Sequence, residues 1–437
     1  MNQTIRIEKI IQGGQGLGRL NNGIVVLCPH VLPGEKIVVK EVKQHRGYIN
    51  AELVDIIEPS ENRITPACPF FSLCGGCDFQ HIQYQSQLNI KKEIIRESLE
   101  RSKTTMDLSA LHTVLPSPKS YQYRFRIRLK LSPDGNLGFY ETRSNRLVKI
   151  EKCLVATKRI NIALQELKTS KIVTKLAPYF SEIELLQSPA DDIVHAVFRS
   201  ADINIPPVLD QLIKLDCSIQ HVDHFSVLKD HTCMPVSKSS GPLLLKQDFS
   251  DKICGRPYSL TWSPDCFYQV NAEQNSMLVK HVLDSIGLGE GKRMLDLYCG
   301  MGNFSIPIAM HGADMLTGIE LNKKSLAWAR NNAIKNNLKN SSFFQGDVIH
   351  QLNRLIRNKA RYDLIVLDPP RQGFGRKVKL LAKLKPDRIL YISCDPATLM
   401  RDLAVLTDNG FAITTLTPVD MFPQTHHIES VALLEKN

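Results

Sequence analysis

Strands and helices are predicted to alternate from about residue 261 to the C-terminus. Apolar runs of strand length are separated, in most cases, by segments whose apolar residues recur with helical spacing. This order is typical of an α/β domain with a doubly wound parallel sheet and helices on both faces. The last two runs follow each other without a helix, so we expect them to pair as an antiparallel edge. The predicted strands are RMLDLYC, DMLTGIE, SSFFQGD, YDLIVLDPP, RILYISC, FAITTLTPVDMF and IESVALLEK.

Two further regions are predicted before this domain. Residues 1–60 contain short apolar runs such as GIVVLC and EKIVVKEV, separated by the turn-forming sequences GG, NNG and PG. Their regular spacing predicts a five-stranded, OB-like β-barrel of a type that often binds nucleic acid. Residues 61–260 show a mixed pattern, and we expect a central α+β domain there. The doubly wound domain then occupies residues 261–437.

The central region contains one segment with an unbroken two-residue period, YQYRFRIRLKL at 121–131. Its aromatic and aliphatic residues point one way and its basic residues the other, which predicts a half-buried strand with a basic outer face. Four like charges on one face repel each other, and a polyanion facing them would relieve that repulsion. A plain solvated edge is the alternative. The candidate polyanion-binding residues are Arg124, Arg126 and Arg128, followed by Lys130.

The distribution of charge points the same way. The chain has a net charge of +11, and residues 91–160 alone hold 16 Lys and Arg against 7 Asp and Glu. A concentrated basic surface favours a polyanionic partner, because neutralising phosphates supplies affinity that does not depend on sequence. A solvated basic face explains the same count equally well.

Membrane and export signals are not evident in the sequence. No apolar run approaches the roughly 18 residues of a membrane helix, and the start, MNQTIRIEKI, lacks the pattern of a signal peptide. We therefore expect a cytoplasmic protein with no membrane partner, whose eleven cysteines are mostly reduced thiols. Nothing predicts a protein partner, so a monomer is expected.

A ligand site is expected at the carboxyl ends of the parallel strands. The first strand ends in LDLYCGMGNF, where Gly300 and Gly302 let the backbone turn tightly beside a ligand. The third glycine of the dinucleotide fingerprint is absent, which disfavours a nicotinamide enzyme. Glu320 closes the second strand, where it can accept hydrogen bonds from ribose hydroxyls, and Asp347 closes the third, near an adenine amino group. These features fit the adenosine of S-adenosylmethionine, and a structural turn in another α/β enzyme is the alternative.

Three residues with reactive side chains lie at the ends of predicted strands of the same sheet. Asp368 follows the fourth strand, Cys394 follows the fifth, and Glu429 begins the last. Cys394 precedes a helix that starts with proline, and the dipole of a helix N-terminus is expected to lower the pKa of its thiol. Each residue also has a simpler interpretation: a buried small side chain for Cys394, a turn former for Asp368, and a surface charge for Glu429. Their shared position favours chemistry.

Four cysteines form a second candidate site. Cys68, Cys74 and Cys77 lie within CPFFSLCGGC, and Cys153 follows far downstream in EKCLVA. Two cysteines that flank a Gly-Gly pair can turn both thiolates toward one centre. By their chemistry, four thiolates suit zinc or an iron–sulfur cluster equally well. Because nothing suggests electron transfer, we expect such a centre to join the two segments structurally.

The motifs DLYCGMGNF, LDPPRQG, SCDPATLMRD and MFPQTHHIES resemble those of the RNA (uracil-5-)-methyltransferase family. The similarity covers essentially the whole chain. The N-terminal barrel resembles the family's TRAM domain, and YRFRIRL resembles its arginine-rich central strand. The barrel together with the four cysteines makes the bacterial 23S ribosomal RNA uridine C5-methyltransferases the nearest subgroup. The resemblance implies a class I S-adenosylmethionine-dependent methyltransferase fold at 261–437 and a [4Fe–4S] cluster held by the four cysteines.

The resemblance also implies a mechanism. Carbon 5 of uracil is a weak nucleophile, and addition of the Cys394 thiolate to carbon 6 would activate it as an enolate. Glu429 would then remove the proton from carbon 5, while Asp368 would hold the uracil edge or the cofactor amine in line. Tyr298 stands where the family often has Phe, a change that should preserve stacking. The S-adenosylmethionine contacts implied by the resemblance are Gln269, Tyr298, Asn303, Glu320, Asp347 and Asp368, and the RNA contacts are Arg124, Arg126 and Arg128.

The sequence leaves the substrate open. The target base must leave its stack to reach such a pocket, so a loop or bulge is expected. The barrel and the cysteines favour 23S ribosomal RNA over transfer RNA. An amino-group methyltransferase is a rival, but Arg371 replaces the aromatic residue that such enzymes place after Asp-Pro-Pro. A non-catalytic RNA-binding protein with a structural metal is the other rival.

Overall fold

The chain folds into a small barrel, a central seven-stranded mixed sheet and a doubly wound sheet that also has seven strands. The computed structural model describes residues 2–104, 106–199, 206–229, 232–236, 243–287 and 291–437. Within these ranges, none of the helices combines the length and the apolar character needed to span a membrane.

The predicted N-terminal barrel is confirmed, and it is closed. Its strands are β1 (Asn2–Ile10), β2 (Gly16–Arg19), β3 (Val25–Cys28), β4 (Lys36–Gln44) and β5 (Tyr48–Glu58), joined in the order β1-β2-β3-β5-β4. Ile5 and Ile7 of β1 are buried while their neighbours are exposed, because successive side chains of a strand point to opposite faces. The barrel therefore has a core of its own.

The central region is a seven-stranded mixed sheet, as the predicted α+β class requires. Helix α1 (Tyr84–Arg101) and a short 3-10 helix (Leu108–Ala110) precede it, and α2 (Lys158–Thr169), α3 (Lys171–Leu176) and α4 (Pro206–Ser218) belong to it. Leu164 of α2 and Leu212 of α4 share a core with Phe198 of the sheet. The strands are β6 (Arg126–Leu131), β7 (Leu137–Tyr140), β8 (Leu147–Lys149), β9 (Glu182–Gln187), β10 (Val194–Arg199), β11 (His224–Lys229) and β12 (Thr232–Pro235), in the order β12-β11-β10-β9-β6-β7-β8.

The basic strand is shorter than predicted. It begins at Arg126 and not at residue 121, because the backbone N–H groups just before it bind loops. The N–H of Arg124 donates to the Val155 carbonyl at 2.8 Å, and that of Phe125 donates to the Val270 carbonyl at 2.9 Å. Arg124 therefore lies outside the regular strand, although its side chain lines the same cavity as those of Arg126 and Arg128.

The charges of this strand already have protein partners. Glu184 on the neighbouring β9 is buried, and its carboxylate accepts from Arg126 at 2.6 Å and from Arg128 at 3.4 Å. Lys130 pairs with Glu182 in the same way. Two carboxylates of the adjacent strand lie among these basic residues and relieve their mutual repulsion, so the repulsion by itself does not argue for a polyanion. Contact of Arg124, Arg126 and Arg128 with RNA stays a prediction.

The C-terminal region contains the predicted doubly wound sheet. A hairpin of β13 (Leu245–Phe249) and β14 (Tyr258–Trp262) leads into it. The antiparallel edge is confirmed, and the last strand lies between the fifth parallel strand and its own predecessor. The sheet strands are β15 (Lys292–Leu297), β16 (Ala313–Glu320), β17 (Ser341–Gln345), β18 (Leu364–Leu367), β19 (Arg388–Ser393), β20 (Phe411–Val419) and β21 (Glu429–Lys436), in the order β17-β16-β15-β18-β19-β21-β20.

Helices cover both faces of this sheet. Those on one face share a core with Met294 and Val366, and those on the other share a core with Leu295 and Ile365. Helix α1 packs on the second face, because its Ile94, Ile95 and Leu99 belong to that core. The helices are α5 (Asp251–Cys254), α6 (Ala272–Ile286), α7 (Ser305–Met310), α8 (Lys323–Lys335), α9 (Val348–Arg357), a 3-10 helix (Gly375–Leu384) and α10 (Pro396–Thr407).

Candidate active site

The register of the doubly wound sheet brings the predicted catalytic residues to one edge. Leu297 at the end of β15 pairs with Leu367 at the end of β18, and β19 lies next to β18. Cys394 directly follows β19, and Glu429 begins the antiparallel β21 beside it. Asp368 directly follows β18. The three side chains therefore share the crevice at which ligands bind in sheets of this type.

The glycine turn after β15 has the backbone conformation that a close ligand approach requires. Gly300 and Gly302 have φ values of 55° and 96°, in the left-handed region that favours glycine. A Cβ at Gly302 would lie 2.8 Å from the Ile306 side chain. Tyr298 shares the left-handed conformation, with φ of 64°, although it carries a side chain. Strained residues of this kind concentrate at functional sites.

Glu320 supports this turn from the end of β16. One of its carboxylate oxygens accepts from the Gly300 N–H at 3.0 Å, and the other accepts from the Asn322 N–H at 2.7 Å. The carboxylate thus fixes the backbone of the turn. Its contact with a ribose stays a prediction.

The remaining predicted cofactor contacts lie around the crevice. Asp347 is exposed at the end of the third strand, where its side chain accepts from the His350 N–H at 2.9 Å and caps α9. Asn303 exchanges two hydrogen bonds with the Asn275 amide, at 2.8 and 3.0 Å. Gln269 is buried in the segment before α6. The positions suit a cofactor site, and the individual contacts stay predictions.

A group of acidic side chains surrounds this crevice. Burial raises the pKa of Asp368, and burial together with the charge of Asp368 raises the pKa of Glu429 well above its ordinary value. Burial also raises the pKa of Asp296 to about 7, with the hydroxyl of Ser305 as its hydrogen-bond donor. Carboxylates forced together out of water favour a cation between them. A methyl donor with a sulfonium and an ammonium group meets that requirement.

The pKa of Cys394 is displaced in the opposite direction from the prediction. Its pKa is raised to about 11, chiefly by burial and also by the charges of Glu429 and Asp368, whereas the charge of Arg371 acts to lower it. The expectation that the α10 dipole lowers this pKa was wrong. Asp395 accepts from the Thr398 N–H at 2.8 Å at the start of α10, so a carboxylate already occupies the helix terminus beside the thiol.

The sequence pattern does not reveal which residues support the loop that precedes Glu429. Lys91 and Asp420 form a fully buried ion pair at 2.5 Å, and Tyr84 donates to the other oxygen of Asp420 at 2.8 Å. Gln87 exchanges hydrogen bonds with Gln424. A polar face was detectable in the sequence, because these α1 residues follow helical spacing three and four apart. Their partners, more than 300 residues away, were not.

The four predicted cysteines lie around one cavity of about 370 Å³. The thiols of Cys74 and Cys77 act electrostatically on each other and on that of Cys153, and Cys68 acts on Cys74. In the described part of the chain, no three His, Cys, Asp or Glu side chains are close enough to bind one metal ion. Four thiolates around one cavity suit zinc or an iron–sulfur cluster by their chemistry, and the presence of either centre stays a prediction.

Arg124 connects this cavity with the loop before Glu429. It lines the cavity, and its guanidinium lies 6.0 Å from the centre of the Phe422 ring. On the other side, Asp78, next to Cys77, accepts from the His426 N–H at 2.8 Å. The cysteine segment and the loop of the candidate base are therefore in direct contact.

The fold and site described above define a methyltransferase of the class that uses S-adenosylmethionine. Two family models match the chain. The model described as "tRNA (Uracil-5-)-methyltransferase" matches residues 83–437, and the model of the TRAM domain matches residues 2–54. The chain belongs to the uracil-5-methyltransferase family and carries an N-terminal TRAM domain.

Similar proteins extend over the full chain. A 23S rRNA (uracil(1939)-C(5))-methyltransferase RlmD of Shewanella sp. strain MR-4 is 34% identical, covering 99% of this chain and 95% of its own length. An uncharacterized RNA methyltransferase of Thermotoga maritima is 31% identical, covering 100% and 99%. The crystal structure of the Pyrococcus abyssi tRNA (uracil-54, C5)-methyltransferase with S-adenosyl-L-homocysteine matches with a TM-score of 0.74 and 26% identity, covering 99% of this chain and all of that one. The chain is an S-adenosylmethionine-dependent RNA uracil C5-methyltransferase.

Proposed function

We propose that the chain methylates carbon 5 of a uridine through a covalent adduct between Cys394 and carbon 6 of the base. The observation that carries this proposal is the meeting of Cys394, Asp368 and Glu429 at one edge of the sheet. A cysteine that stands alone in a fold is explained by packing. A thiol between two carboxyl groups with raised pKa values instead favours a reaction that includes proton transfer.

The reaction balances with these residues alone as protein reactants. The Cys394 thiolate forms a bond to carbon 6, and the electrons of the ring double bond move to the carbon 4 oxygen. Carbon 5 then takes the methyl group of the donor, and the donor's carbon–sulfur electrons stay on its sulfur. Glu429 accepts the proton of carbon 5, and the thiolate leaves as the double bond reforms. A raised pKa makes the Glu429 carboxylate a stronger base for that step.

RNA fragments that contain 5-fluorouridine test the adduct. Fluorine cannot leave carbon 5 as a cation, so the base cannot be released and a protein–RNA complex should survive denaturing electrophoresis. We expect the complex with the parent protein and with Cys217→Ser, a change at an exposed cysteine in α4. Cys394→Ser should give none while retaining RNA binding. A covalent complex with Cys394→Ser would refute the assignment of the nucleophile.

The proposed substrate is 23S ribosomal RNA, and the alternative is transfer RNA. The bacterial relatives named as 23S enzymes support the first and match nearly the full chain. The archaeal structure named as a transfer RNA enzyme supports the second, at lower identity. Methyl transfer from labelled S-adenosylmethionine to unmodified transcripts of each RNA distinguishes them. We propose that the protein acts in the cytoplasm as a monomer.

We also propose that Cys68, Cys74, Cys77 and Cys153 hold a [4Fe–4S] cluster with a structural role. The cavity that all four cysteines line supports this assignment. When bound, such a cluster supplies a rigid link between the four thiolates. We expect about four iron and four sulfide per chain in anaerobically purified protein, by analogy with Cys₄ clusters. Cys74→Ser should lower both, whereas Cys254→Ser, outside the cavity, should not. Colourless protein with stoichiometric zinc would contradict the cluster.

A further inference from the structure

A second basic region lies within the doubly wound domain. Residues 348–362 and 369–386 contain no Asp or Glu. They contain ten Lys and Arg, all with exposed side chains, and none forms an ion pair with any residue that the structure describes. We name these ten residues the basic face: Arg354, Arg357, Lys359, Arg361, Arg371, Arg376, Lys377, Lys379, Lys383 and Lys385.

Most of the basic face comes from α9 and the 3-10 helix Gly375–Leu384. Both elements pack on the same side of the sheet, because Leu352 of α9 and Val378 and Leu381 of the 3-10 helix belong to one core. The buried side chains of both elements face that core, so their basic side chains lie outside it. The two rows of positive charge therefore lie on one side of the domain.

The basic face begins at the active site. Arg371 follows Asp368-Pro369-Pro370, and its charge acts on both Cys394 and Glu429. The carbonyl of Arg371 accepts from the Thr398 hydroxyl at 3.0 Å, which ties this segment to α10 directly after the nucleophile.

The path onward from Arg371 is also fixed. Phe374 and Gly375 donate their N–H groups to Asp402 of α10, at 2.6 and 3.0 Å. The chain then enters the 3-10 helix with its four basic residues. Positive charge thus extends from the reacting thiol to the outer surface along one anchored segment.

The ion pairs within residues 91–160 make that region a weaker candidate for binding a polyanion than the basic face. That region has the larger excess by count, but many of its cations already have carboxylate partners, as for Arg126 with Glu184 and Lys130 with Glu182. A neutralised pair releases fewer counterions from nucleic acid than an unpaired cation does. The basic face has no such partners in the part of the chain that the structure describes.

We propose that the basic face binds the phosphate backbone of the RNA that flanks the target uridine. This proposal rests on the proposed function, because it assumes that the polyanion is the RNA substrate. The face supplies affinity that does not depend on base identity, and it begins where the flipped nucleotide must enter.

The test compares two triple variants with equal loss of charge. The first is Lys377→Gln, Lys379→Gln, Lys383→Gln on the basic face. The second is Lys158→Gln, Lys171→Gln, Lys175→Gln on α2 and α3 of the central domain, where the lysines are also exposed and without ion pairs among the described residues. The dissociation constant of a 23S ribosomal RNA transcript is measured over a series of salt concentrations, with a transfer RNA transcript in parallel.

Each lost phosphate contact should reduce the slope of log affinity against log salt by roughly 0.7–0.9. We therefore expect a slope that is smaller by about 2 for the first variant, with affinity about tenfold to a hundredfold lower at low salt, and a parental slope for the second. The rate of methyl transfer at saturating RNA should stay parental in both.

Equal slopes for the two variants would overturn the proposal. If the parent protein still methylates RNA in that case, the proposed function stands and only the basic face is refuted. If the parent transfers no methyl group to any RNA, the proposed function fails, and the slopes still decide whether this face binds RNA. Equal slopes with loss of binding to phosphatidylglycerol vesicles would assign the face to an anionic membrane surface instead.

Discussion

The thiol of Cys394 lies among two carboxylates and one guanidinium. Burial and the charges of Glu429 and Asp368 raise its pKa to about 11, and Arg371 offsets them only in part. We expect this raised pKa to keep the Cys394 thiol protonated near neutral pH. A positively charged methyl donor beside Asp368 would reverse this balance, because an added cation favours both the carboxylate and the thiolate. The nucleophile would then become active only when the donor is bound.

Alkylation of Cys394 by iodoacetamide measures this effect. In the free protein the rate should rise about tenfold per unit between about pH 7 and 9 without a plateau, because the thiolate is the reactive form and its pKa lies higher. At about pH 7.5, S-adenosylmethionine should give a faster rate than S-adenosylhomocysteine, which has nearly the same shape but lacks the sulfonium charge. Mass spectrometry of the Cys394 peptide provides the rates.

The exposed thiol of Cys217 is the internal control, and its rate should not distinguish the two ligands. Equal rates of Cys394 alkylation with both ligands would show that the sulfonium does not control the thiol. A slope that begins to level off at about pH 8.5 would instead show that the pKa is close to that of an ordinary cysteine.

The sequence predicted the positions of the candidate site residues better than it predicted their pKa values. Strand ends and motifs were enough to place Asp368, Cys394 and Glu429 in one crevice. The direction of the Cys394 pKa shift was not predictable from the adjacent helix, because the carboxylates that raise it come from other strands. Asp296 was overlooked as part of the acidic group for the same reason, since its burial depends on the assembled sheet.

At the scale of elements, α1 holds the loop that precedes Glu429. Lys91 donates to the Asp420 carboxylate at 2.5 Å and to the Phe422 carbonyl at 3.1 Å, and Tyr84 binds the same carboxylate. Both members of the ion pair are fully buried. Helix α1 lies outside residues 261–437, the catalytic domain that the sequence predicts. It nevertheless positions the candidate base.

Lys91→Met tests this support. The substitution removes the positive charge and leaves Asp420 buried with Tyr84 as its remaining side-chain donor. Breaking a buried ion pair in this way should lower the free energy of unfolding by about 3–5 kcal/mol, measured by urea denaturation. It should also slow release of the product, because the Glu429 loop loses its anchor, so that covalent complex accumulates with ordinary uridine RNA.

Two further variants serve as controls for Lys91→Met. Lys91→Met with Asp420→Asn removes the unpaired charge and should recover about half of the loss. Lys92→Met, next in α1 and less buried, should change stability by less than about 0.5 kcal/mol. If Lys91→Met matched Lys92→Met, the buried pair would have no role in anchoring the loop.

Elements were predictable where the apolar period was regular, and less so where loops intervened. The barrel, the doubly wound sheet and its antiparallel edge followed from alternation and turn signals. The start of β6 did not, because Arg124 and Phe125 continue the strand pattern in sequence but bond to Val155 and Val270 in space. The position of β21 between β19 and β20 was also beyond a linear pattern, since it depends on how the last two strands enter the sheet.

For the whole molecule, the sum of charges along the sequence differs from the distribution of charge in space. Counting along the chain placed the excess at 91–160, but Glu182 and Glu184 come from β9, outside that window. Sheet pairing brings them against Arg126, Arg128 and Lys130. Among the residues that the structure describes, the ten exposed cations of the basic face have no ion pairs, and most of them lie on α9 and the second 3-10 helix, which the count did not single out.

Arg126→Gln tests this distribution of charge. The Arg126 side chain is 20% exposed and binds a Glu184 carboxylate that is 2% exposed, which keeps Arg199 as a second partner. Loss of one charged hydrogen bond should lower the free energy of unfolding by about 1.5–3 kcal/mol, measured by urea denaturation. The slope of RNA affinity against salt should stay parental, because the charge of Arg126 is already paired with the Glu184 carboxylate. Arg128→Gln is the matched control: its side chain is 48% exposed, so its loss should cost less than about 1 kcal/mol. A slope reduced by about 1 in Arg126→Gln, with stability unchanged, would instead place an RNA phosphate on this strand and return the principal RNA contact to the central domain.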